Sequence, residues 1–257
     1  MDYDFGGDAP DARAGQIRPA IHSGEAHGMN PCQAQIDAVR LALGAHADDR
    51  RAVAMSAYMR GRFPFLGIST PLRRAATAAF CRQPQEAEAL LAVAGALWAL
   101  PEREYHYVAV DLLARQWKTL GPEQVEALLV LAGRGAWWDT VDGLAGVVGD
   151  VLRRERRGGK DAQRCMDSAL QHEDMWRRRV AMIHQLGWRA ETDTGRLFGY
   201  ALALAGEPDF FIRKAIGWAL RDYARHDSSA VKAFLAGEGA GLSPLSRREA
   251  ARHLGKA

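Results

Sequence analysis

The sequence predicts an all-α protein, a solenoid of about six stacked helical pairs with a concave and basic inner surface. Three observations support this fold class. From residue 31 onward, apolar residues recur at helical spacing in segments of about 11–18 residues. Short turns separate these segments, and six of the thirteen segments open with a capping residue or a proline. No run of alternating apolar and polar residues is long enough to predict a sheet.

The expected helices follow one another closely along the chain. Start signals typical of a helix cap or first turn occur at Thr70-Pro71, Pro84, Leu100-Pro101, Gly121-Pro122, Asp209 and Ser243-Pro244. Helices are therefore expected over residues 32–46, 49–61, 71–82, 84–98, 101–117, 122–132, 137–155, 160–171, 174–187, 192–205, 210–226, 228–236 and 244–254.

Successive pairs of these segments repeat at a spacing of roughly 35–45 residues, which is compatible with HEAT-like helical pairs. No strict sequence repeat accompanies this spacing, so a compact helical bundle is the alternative architecture. Residues 1–30 lack periodicity and are rich in Gly, Asp and Ala. They are expected to form a disordered or loosely attached tail before a single domain over residues 31–257.

Composition excludes several classes of protein. The 257 residues contain no apolar stretch long enough to predict a membrane span, and the acidic N-terminus does not resemble a signal peptide. Three cysteines lie far apart, at Cys32, Cys81 and Cys165, and favour neither a disulfide scaffold nor a zinc site. A cytoplasmic protein is expected. The sequence also lacks HExxH, GxSxG, GxxxxGK[ST] and GxGxxG, so neither a metal nor a cofactor is expected.

Charge is concentrated in the C-terminal half, although the net charge is only +3. Residues 151–189 contain ten basic and five acidic side chains, and residues 210–257 contain nine basic and four acidic ones. Clustered cations are typical of a surface that binds a polyanion. A solvated helical surface would explain the counts equally well.

In the segment FFIRKAIGWALRDYAR, residues 210–225, Trp218 lies away from the apolar face. At 100° per residue, Lys214, Arg221 and Arg225 share its side of the helix. Cations would suit phosphates, and the indole would suit a base or a sugar. The alternatives are a tryptophan covered by Lys and Arg stems, or a protein interface.

Two further positions are candidates for a site. In AWWDTVD, residues 136–142, Trp137 is expected in the core, whereas Trp138 and Asp142 are i, i+4 neighbours at its margin. A carboxylate beside an indole can stabilise a developing cation, although an Asp near a helix start also interacts favourably with the helix dipole. Arg179 lies at the edge of an apolar stripe, where it could bind a phosphate or form a surface salt bridge.

Several strings together resemble one family, the AlkD-type DNA alkylation-repair glycosylases. They appear in the family's order and cover about residues 32–257. The strings are YMRGRFPFLGISTPLRR (58–74), LWALPEREYHYVAVDLL (97–113), AWWDTVD (136–142), WRRRVAMIHQL (176–186), FFIRKAIGWALRDYAR (210–225) and PLSRREAARH (244–253).

The resemblance implies a solenoid of HEAT-like repeats whose concave basic surface holds duplex DNA. It implies hydrolysis of the N-glycosidic bond of N7-alkylguanine and N3-alkyladenine, leaving an abasic site without flipping the lesion into a pocket. By motif, the residues that face the lesion nucleotide are Asp142, Trp138 and Trp218. The resemblance places the arginine that grips DNA at Arg179 and matches the tyrosine of the family's YM..HF-like string to Tyr58.

Combined with the helical spacing, this makes the expected phosphate contacts Arg179, Lys214, Arg221 and Arg225. No lysine matches a Schiff-base motif, so hydrolysis without lyase activity is expected. The expected partner is double-stranded DNA containing alkylated bases, with no membrane and no obligate protein partner. Two alternatives remain open: a non-catalytic helical-repeat module that binds nucleic acid, and a protein–protein scaffold.

Overall fold

The computed structural model describes residues 31–158 and 162–254, and these residues form thirteen α-helices and no strand. The helices are α1 (Pro31–Gly44), α2 (Asp49–Tyr58), α3 (Thr70–Arg82), α4 (Ala87–Trp98), α5 (Arg103–Arg115), α6 (Val125–Gly133), α7 (Trp138–Arg157), α8 (Arg164–Leu170), α9 (Met175–Ile183), α10 (Thr194–Ala203), α11 (Phe210–Ala224), α12 (Ser228–Ala236) and α13 (Pro244–Ala250).

The all-α prediction is confirmed, and each expected segment contains one helix. The structure differs from the prediction in where individual helices begin and end. Helices α4 and α5 begin two or three residues later than expected, because Glu86 and Glu102 are extended N-cap residues. The expected tail over residues 1–30 lies outside the described residues, as does the start of the segment expected over 160–171.

Short polar side chains begin two of the helices that form the site, α9 and α11. Asp209 accepts hydrogen bonds from the backbone N–H groups of Phe211 and Ile212, at 2.7 and 3.2 Å. Asp174 accepts one from the N–H of Trp176 at 2.9 Å. These contacts satisfy amides that have no partner within the helix, so they define where α11 and α9 begin.

The helices form an α–α superhelix of two layers. Helices α3, α5, α7, α9, α11 and α13 pack side by side in sequence order, and we call them the inner row. Helices α4, α6, α8, α10 and α12 each pack against a neighbouring helix of this row, and α1 packs against α3 and α4. The apolar residues between the layers form one continuous core.

Ion pairs link successive helices of the inner row. Arg73 on α3 contacts Asp111 on α5 at 3.0 Å, and Arg103 on α5 contacts Asp139 on α7 at 2.7 Å. Further along the row, Arg179 on α9 pairs with α7, and Glu249 on α13 pairs with α11. Each pair joins residues about one repeat apart, so these contacts fix how neighbouring repeats stack.

Two glycines permit close approaches within the row. A Cβ at Gly149 on α7 would lie 2.0 Å from the carbonyl oxygen of His184, and one at Gly217 on α11 would lie 2.8 Å from that of Ser246. A larger residue at either position would push neighbouring repeats apart.

A second, small apolar cluster joins the end of α2 to the start of α7. It contains Met59, Phe65 and Trp137, with Trp176 and Phe211 packed against it. This cluster brings α2 and the segment that follows it close to the N-terminal ends of α7, α9 and α11. Within the described residues, no helix combines the length and the hydropathy that a membrane span requires.

Candidate nucleic-acid site

A cleft of about 310 Å³ opens between the end of α2 and the N-terminal halves of α7, α9 and α11. Six of the nine residues that line it are aromatic, and the other three are cationic. The lining residues are Tyr58, Arg60, Trp137, Trp138, Arg179, Phe210, Phe211, Lys214 and Trp218. Rings and cations are the groups that contact the bases and phosphates of nucleic acids.

The two tryptophans at the start of α7 have different surroundings. Trp137 is the extended N-cap residue and is only 8% exposed. Its ring packs on Trp176 and Phe211, with centroids 5.8 and 4.9 Å apart. Trp138 is the first helical residue, is half-buried, and lines the cleft. The expectation that Trp137 belongs to the core is confirmed.

Asp142 lies one turn after Trp138 and is bound by Arg179. The guanidinium donates from Nε and Nη2 to the two carboxylate oxygens, each at 2.7 Å. The Arg179 side chain is 1% exposed and that of Asp142 is 24% exposed. The third guanidinium nitrogen, Nη1, donates to the carbonyl oxygen of Phe211 at 2.5 Å. Arg179 thereby fixes the orientation of the carboxylate and links α9 to both neighbouring helices.

Burial raises the pKa of the Asp142 carboxyl above its usual value, and the hydrogen bonds and charge of Arg179 oppose that rise. The negative charge of Asp139 raises the pKa of Asp142 a little further. The carboxylate is therefore partly desolvated and held by one cation. In such surroundings it interacts more strongly with a nearby positive charge than it would in water.

Trp218 forms another side of the cleft and carries several cations around its ring. The Arg179 guanidinium carbon and Lys214 Nζ each lie 5.2 Å from the ring centroid, and the guanidinium carbon of Arg221 lies 6.0 Å away. Glu249 binds Lys214 at 2.9 Å and Arg221 at 3.0 Å. The cations beside Trp218 are thus balanced by carboxylates.

The opposite side of the cleft is the segment that follows α2, residues 58–68, which we call the 58–68 segment. Glu104, fully buried at the start of α5, accepts hydrogen bonds from the backbone N–H groups of Leu66, Gly67 and Ile68 at 2.9–3.0 Å. This carboxylate anchors the segment to the inner row. Tyr58, at the other end of the segment, is 74% exposed.

No group of three or more His, Cys, Asp or Glu side chains in the described part of the chain is arranged to hold a metal ion. The groups that the described residues bring to the cleft and its edge are aromatic rings, cations and the carboxylate bound by Arg179.

Comparison with known proteins identifies the family. The family model for DNA alkylation repair enzymes matches residues 39–254, nearly the whole described chain. The chain belongs to the DNA alkylation repair enzyme family. A solved structure described as a predicted DNA alkylation repair enzyme from Enterococcus faecalis is similar in fold, with a TM-score of 0.75 and 31% sequence identity. The match covers 82% of this chain and 98% of that one. No curated protein matches the sequence.

The structure brings most of the expected site residues of this family member to one cleft. Tyr58, Trp138, Arg179, Lys214 and Trp218 all line it. The carboxylate that we expected beside them does not itself line the cleft, but it binds the guanidinium of Arg179, which does.

The remaining expected DNA contacts of this family member lie differently. Arg221 reaches the Trp218 ring but is paired with Glu249. Arg225, expected on the same face as Trp218, lines a separate cavity at the far end of α11. Seven residues of helix separate the two side chains, a rise of about 10 Å, so a shared face does not mean a shared cleft.

Sequence reasoning missed four residues at the site. Phe210, Phe211 and Arg60 line the cleft, and Arg62 lies over the Trp137 ring with its guanidinium carbon 4.4 Å from the centroid. The strings FFIRKAIGW and YMRGRF contain all four, but neither periodicity nor charge distinguishes them. Their positions depend on how the 58–68 segment folds back on α7 and α11.

Proposed function

We propose that the protein hydrolyses the N-glycosidic bond of cationic alkylated purines, N7-alkylguanine and N3-alkyladenine, in duplex DNA. The product is DNA with an abasic site. The observation that carries the proposal is that Trp138, Trp218 and Arg179 line one cleft, and that Arg179 holds the Asp142 carboxylate beside it. Membership of the DNA alkylation repair family supports DNA as the substrate.

The reaction requires little acid catalysis from the protein. Alkylation places a positive charge on the purine, so the base leaves as a neutral group when the bond from N9 to C1′ breaks. The bonding electron pair moves to N9, and positive charge develops on the deoxyribose. Water then adds to C1′ and loses a proton. The protein therefore needs mainly to stabilise a cationic sugar.

Asp142 is the group that we assign to this role. Its carboxylate is partly desolvated, held in one orientation by Arg179, and placed one turn from Trp138. A fixed negative charge that needs no rearrangement is effective at stabilising a developing positive charge. The same carboxylate can orient the attacking water and accept its proton.

Trp138 and Trp218 would attract the cationic base and sugar through their π faces, each contributing roughly 0.5–2 kcal/mol. Protein cations already surround the Trp218 ring, at 5.2–6.0 Å. Among the described residues, no cation is recorded over the ring of Trp138. We therefore assign the closer contact with the cationic base to Trp138.

Two features support hydrolysis without base flipping or strand cleavage. A cleft of about 310 Å³ is at the lower end of the volumes of ligand pockets, which favours contact with one side of the nucleotide over complete enclosure. The lysine that lines it, Lys214, is held by Glu249 at 2.9 Å, which directs its ammonium group towards α13 and away from a role as a nucleophile.

The test is release of 7-methylguanine from duplex DNA by the Asp142→Asn variant under single-turnover conditions. We expect a loss of at least about 100-fold in rate with little change in DNA affinity, because the substitution removes charge stabilisation of the transition state. The matched control is Asp150→Asn, an exposed carboxylate two turns further along α7, which should release the base at the normal rate.

Two outcomes would contradict the proposal. A near-normal rate for Asp142→Asn would remove Asp142 from the mechanism. Salt-sensitive DNA binding by the unmodified protein, with no release of methylated bases, would instead support the non-catalytic nucleic-acid-binding module. Asp142→Asn also removes the charged partner of Arg179. Thermal unfolding of both variants shows whether a lower rate arises from a less stable fold.

A further inference from the structure

A second cavity, of about 470 Å³, lies at the other end of the two helices that form the cleft. Its walls come from the turn after α9 and from the C-terminal end of α11. The lining residues are Gly187, Arg189, Asp222, Arg225 and His226. The cleft and this cavity therefore lie at opposite ends of the same pair of inner-row helices.

The cations of this cavity differ from most others on the inner row. Lys214 and Arg221 pair with Glu249, and Arg179 pairs with Asp142. Arg189 and Arg225 are exposed, and no carboxylate in the described chain is recorded as pairing with either. Unpaired cations that line a concave surface attract an anion.

The one carboxylate in the cavity already has a partner. Asp222 accepts a hydrogen bond from the backbone N–H of Gly187 at 2.7 Å, which fixes the turn that carries Arg189. Asp222 thus holds the turn in place. The cavity contains two guanidinium groups and one carboxylate, so its charged side chains are cationic in sum.

Backbone conformation provides an independent observation. Among the described residues, only two that are not glycine have positive φ, Arg60 at 58° and Arg189 at 55°. This left-handed conformation is costly for a residue with a side chain, and such strain is concentrated at functional positions. One of the two arginines lines the cleft, and the other lines this cavity.

We propose that this cavity is a second anion site, in which Arg189 and Arg225 bind a backbone phosphate of the same DNA duplex that occupies the cleft. The proposal rests on DNA being the ligand of the cleft. Trp218 and Arg225 are seven residues apart on α11, a rise of about 10 Å. That distance corresponds to roughly three nucleotides along one DNA strand. His226 also lines the cavity and supplies a further hydrogen-bonding group.

The experiment measures the affinity of undamaged duplex DNA as a function of salt concentration. The logarithm of the binding constant falls linearly with the logarithm of the salt concentration. Each lost phosphate contact should reduce the magnitude of this negative slope by about one. We expect a reduction of about one for Arg189→Gln, about one for Arg225→Gln, and about two for the double variant. The control is Lys232→Gln, an exposed cation on the outer helix α12, which should leave the slope unchanged.

A second arm locates the phosphate. Duplexes that contain 7-methylguanine carry one neutral methylphosphonate linkage, placed in turn at successive positions beside the lesion. One position about three nucleotides away should weaken binding by the unmodified protein and have little effect on the double variant. Both substitutions remove exposed, unpaired charges, so the thermal unfolding temperature should not change.

If the Arg189→Gln, Arg225→Gln and double variants have the same slope as the control Lys232→Gln, the proposed anion site is wrong. An equal effect of every methylphosphonate on the unmodified protein and the double variant would also overturn it. Base release separates this proposal from the proposed function. Reduced slopes without base release by the unmodified protein would refute the glycosylase and retain the anion site. Base release with unchanged slopes would do the reverse.

Discussion

The two sides of the cleft are held in place by different interactions. On the side formed by α7, α9 and α11, charged groups are paired with opposite charges, as Arg179 is with Asp142 and Lys214 with Glu249. On the side formed by the 58–68 segment, the backbone is anchored, but the cations Arg60 and Arg62 have no recorded carboxylate partner among the described residues.

This difference suggests a division of labour. Paired, partly buried charges cannot rearrange cheaply, so they suit a site where a carboxylate must meet a developing cation in a fixed position. Unpaired and exposed cations suit phosphates, because they release counterions when they bind and lose no internal partner. The paired side would then act on the bound nucleotide, and the unpaired side would hold the strand.

The largest effect is expected from breaking the buried pair on the helical side. Arg179→Gln leaves Asp142 partly buried without its cation, which should destabilise the fold by about 3–5 kcal/mol in urea unfolding. The matched control is Arg177→Gln on the same helix. Arg177 pairs with Glu126, a residue that is 66% exposed, so its loss should cost about 1 kcal/mol or less.

The same variant should change the pH dependence of base release. Asp142 acts as a carboxylate, so the rate falls as pH drops through its pKa, which burial already raises above the usual value. Removing Arg179 eliminates interactions that lower this pKa. The acid limb of the single-turnover profile should therefore move to higher pH. A slower rate with an unmoved acid limb would show that Arg179 acts on the DNA alone.

An intermediate effect is expected from weakening the attachment of the 58–68 segment, which forms the other side of the cleft. In Glu104→Gln the buried carboxylate that accepts three backbone N–H groups is replaced by a neutral amide, at a cost of about 1–3 kcal/mol. DNA affinity should fall, while base release at saturating DNA should stay close to normal. Glu102→Gln, two residues earlier and only half-buried, provides the matched control.

A double-mutant cycle tests whether Glu104 acts through the 58–68 segment. If it positions Arg60, then Glu104→Gln should cost little additional DNA affinity in a protein that already carries Arg60→Gln. Fully additive losses would mean that Glu104 supports the fold without positioning this cation.

Local sequence signals predict the helices well, because the physical causes of a helix are local. The helix start predicted at Asp209 is confirmed by its hydrogen bonds to the backbone N–H groups of Phe211 and Ile212. The helical periodicity also correctly distinguishes the buried Trp137 from Trp138. Each of these features depends on residues within a few positions in sequence.

The charge pairing could not be predicted in the same way. Lys214 and Glu249 are separated by 35 positions, and they meet because α11 and α13 stack with Gly217 at their contact. Helical spacing alone therefore cannot distinguish Lys214, Arg221 and Arg225, and it predicts all three as phosphate contacts. Only Arg225 has no recorded carboxylate partner in the described chain.

The smallest expected effect is a difference in the salt dependence of DNA binding between two cleft cations, the unpaired Arg60 and the paired Lys214. Arg60→Gln should reduce the slope of log K against log salt for duplex DNA by about one, because an unpaired guanidinium is free to displace counterions from phosphate. Lys214→Gln should reduce it by clearly less, since Glu249 already neutralises that ammonium at 2.9 Å. The fold should tolerate both changes, because Arg60 is exposed and Glu249 keeps Arg221 as a partner. Equal reductions would mean that Glu249 releases Lys214 when DNA binds, and the contrast between the two sides of the cleft would then hold only for the free protein.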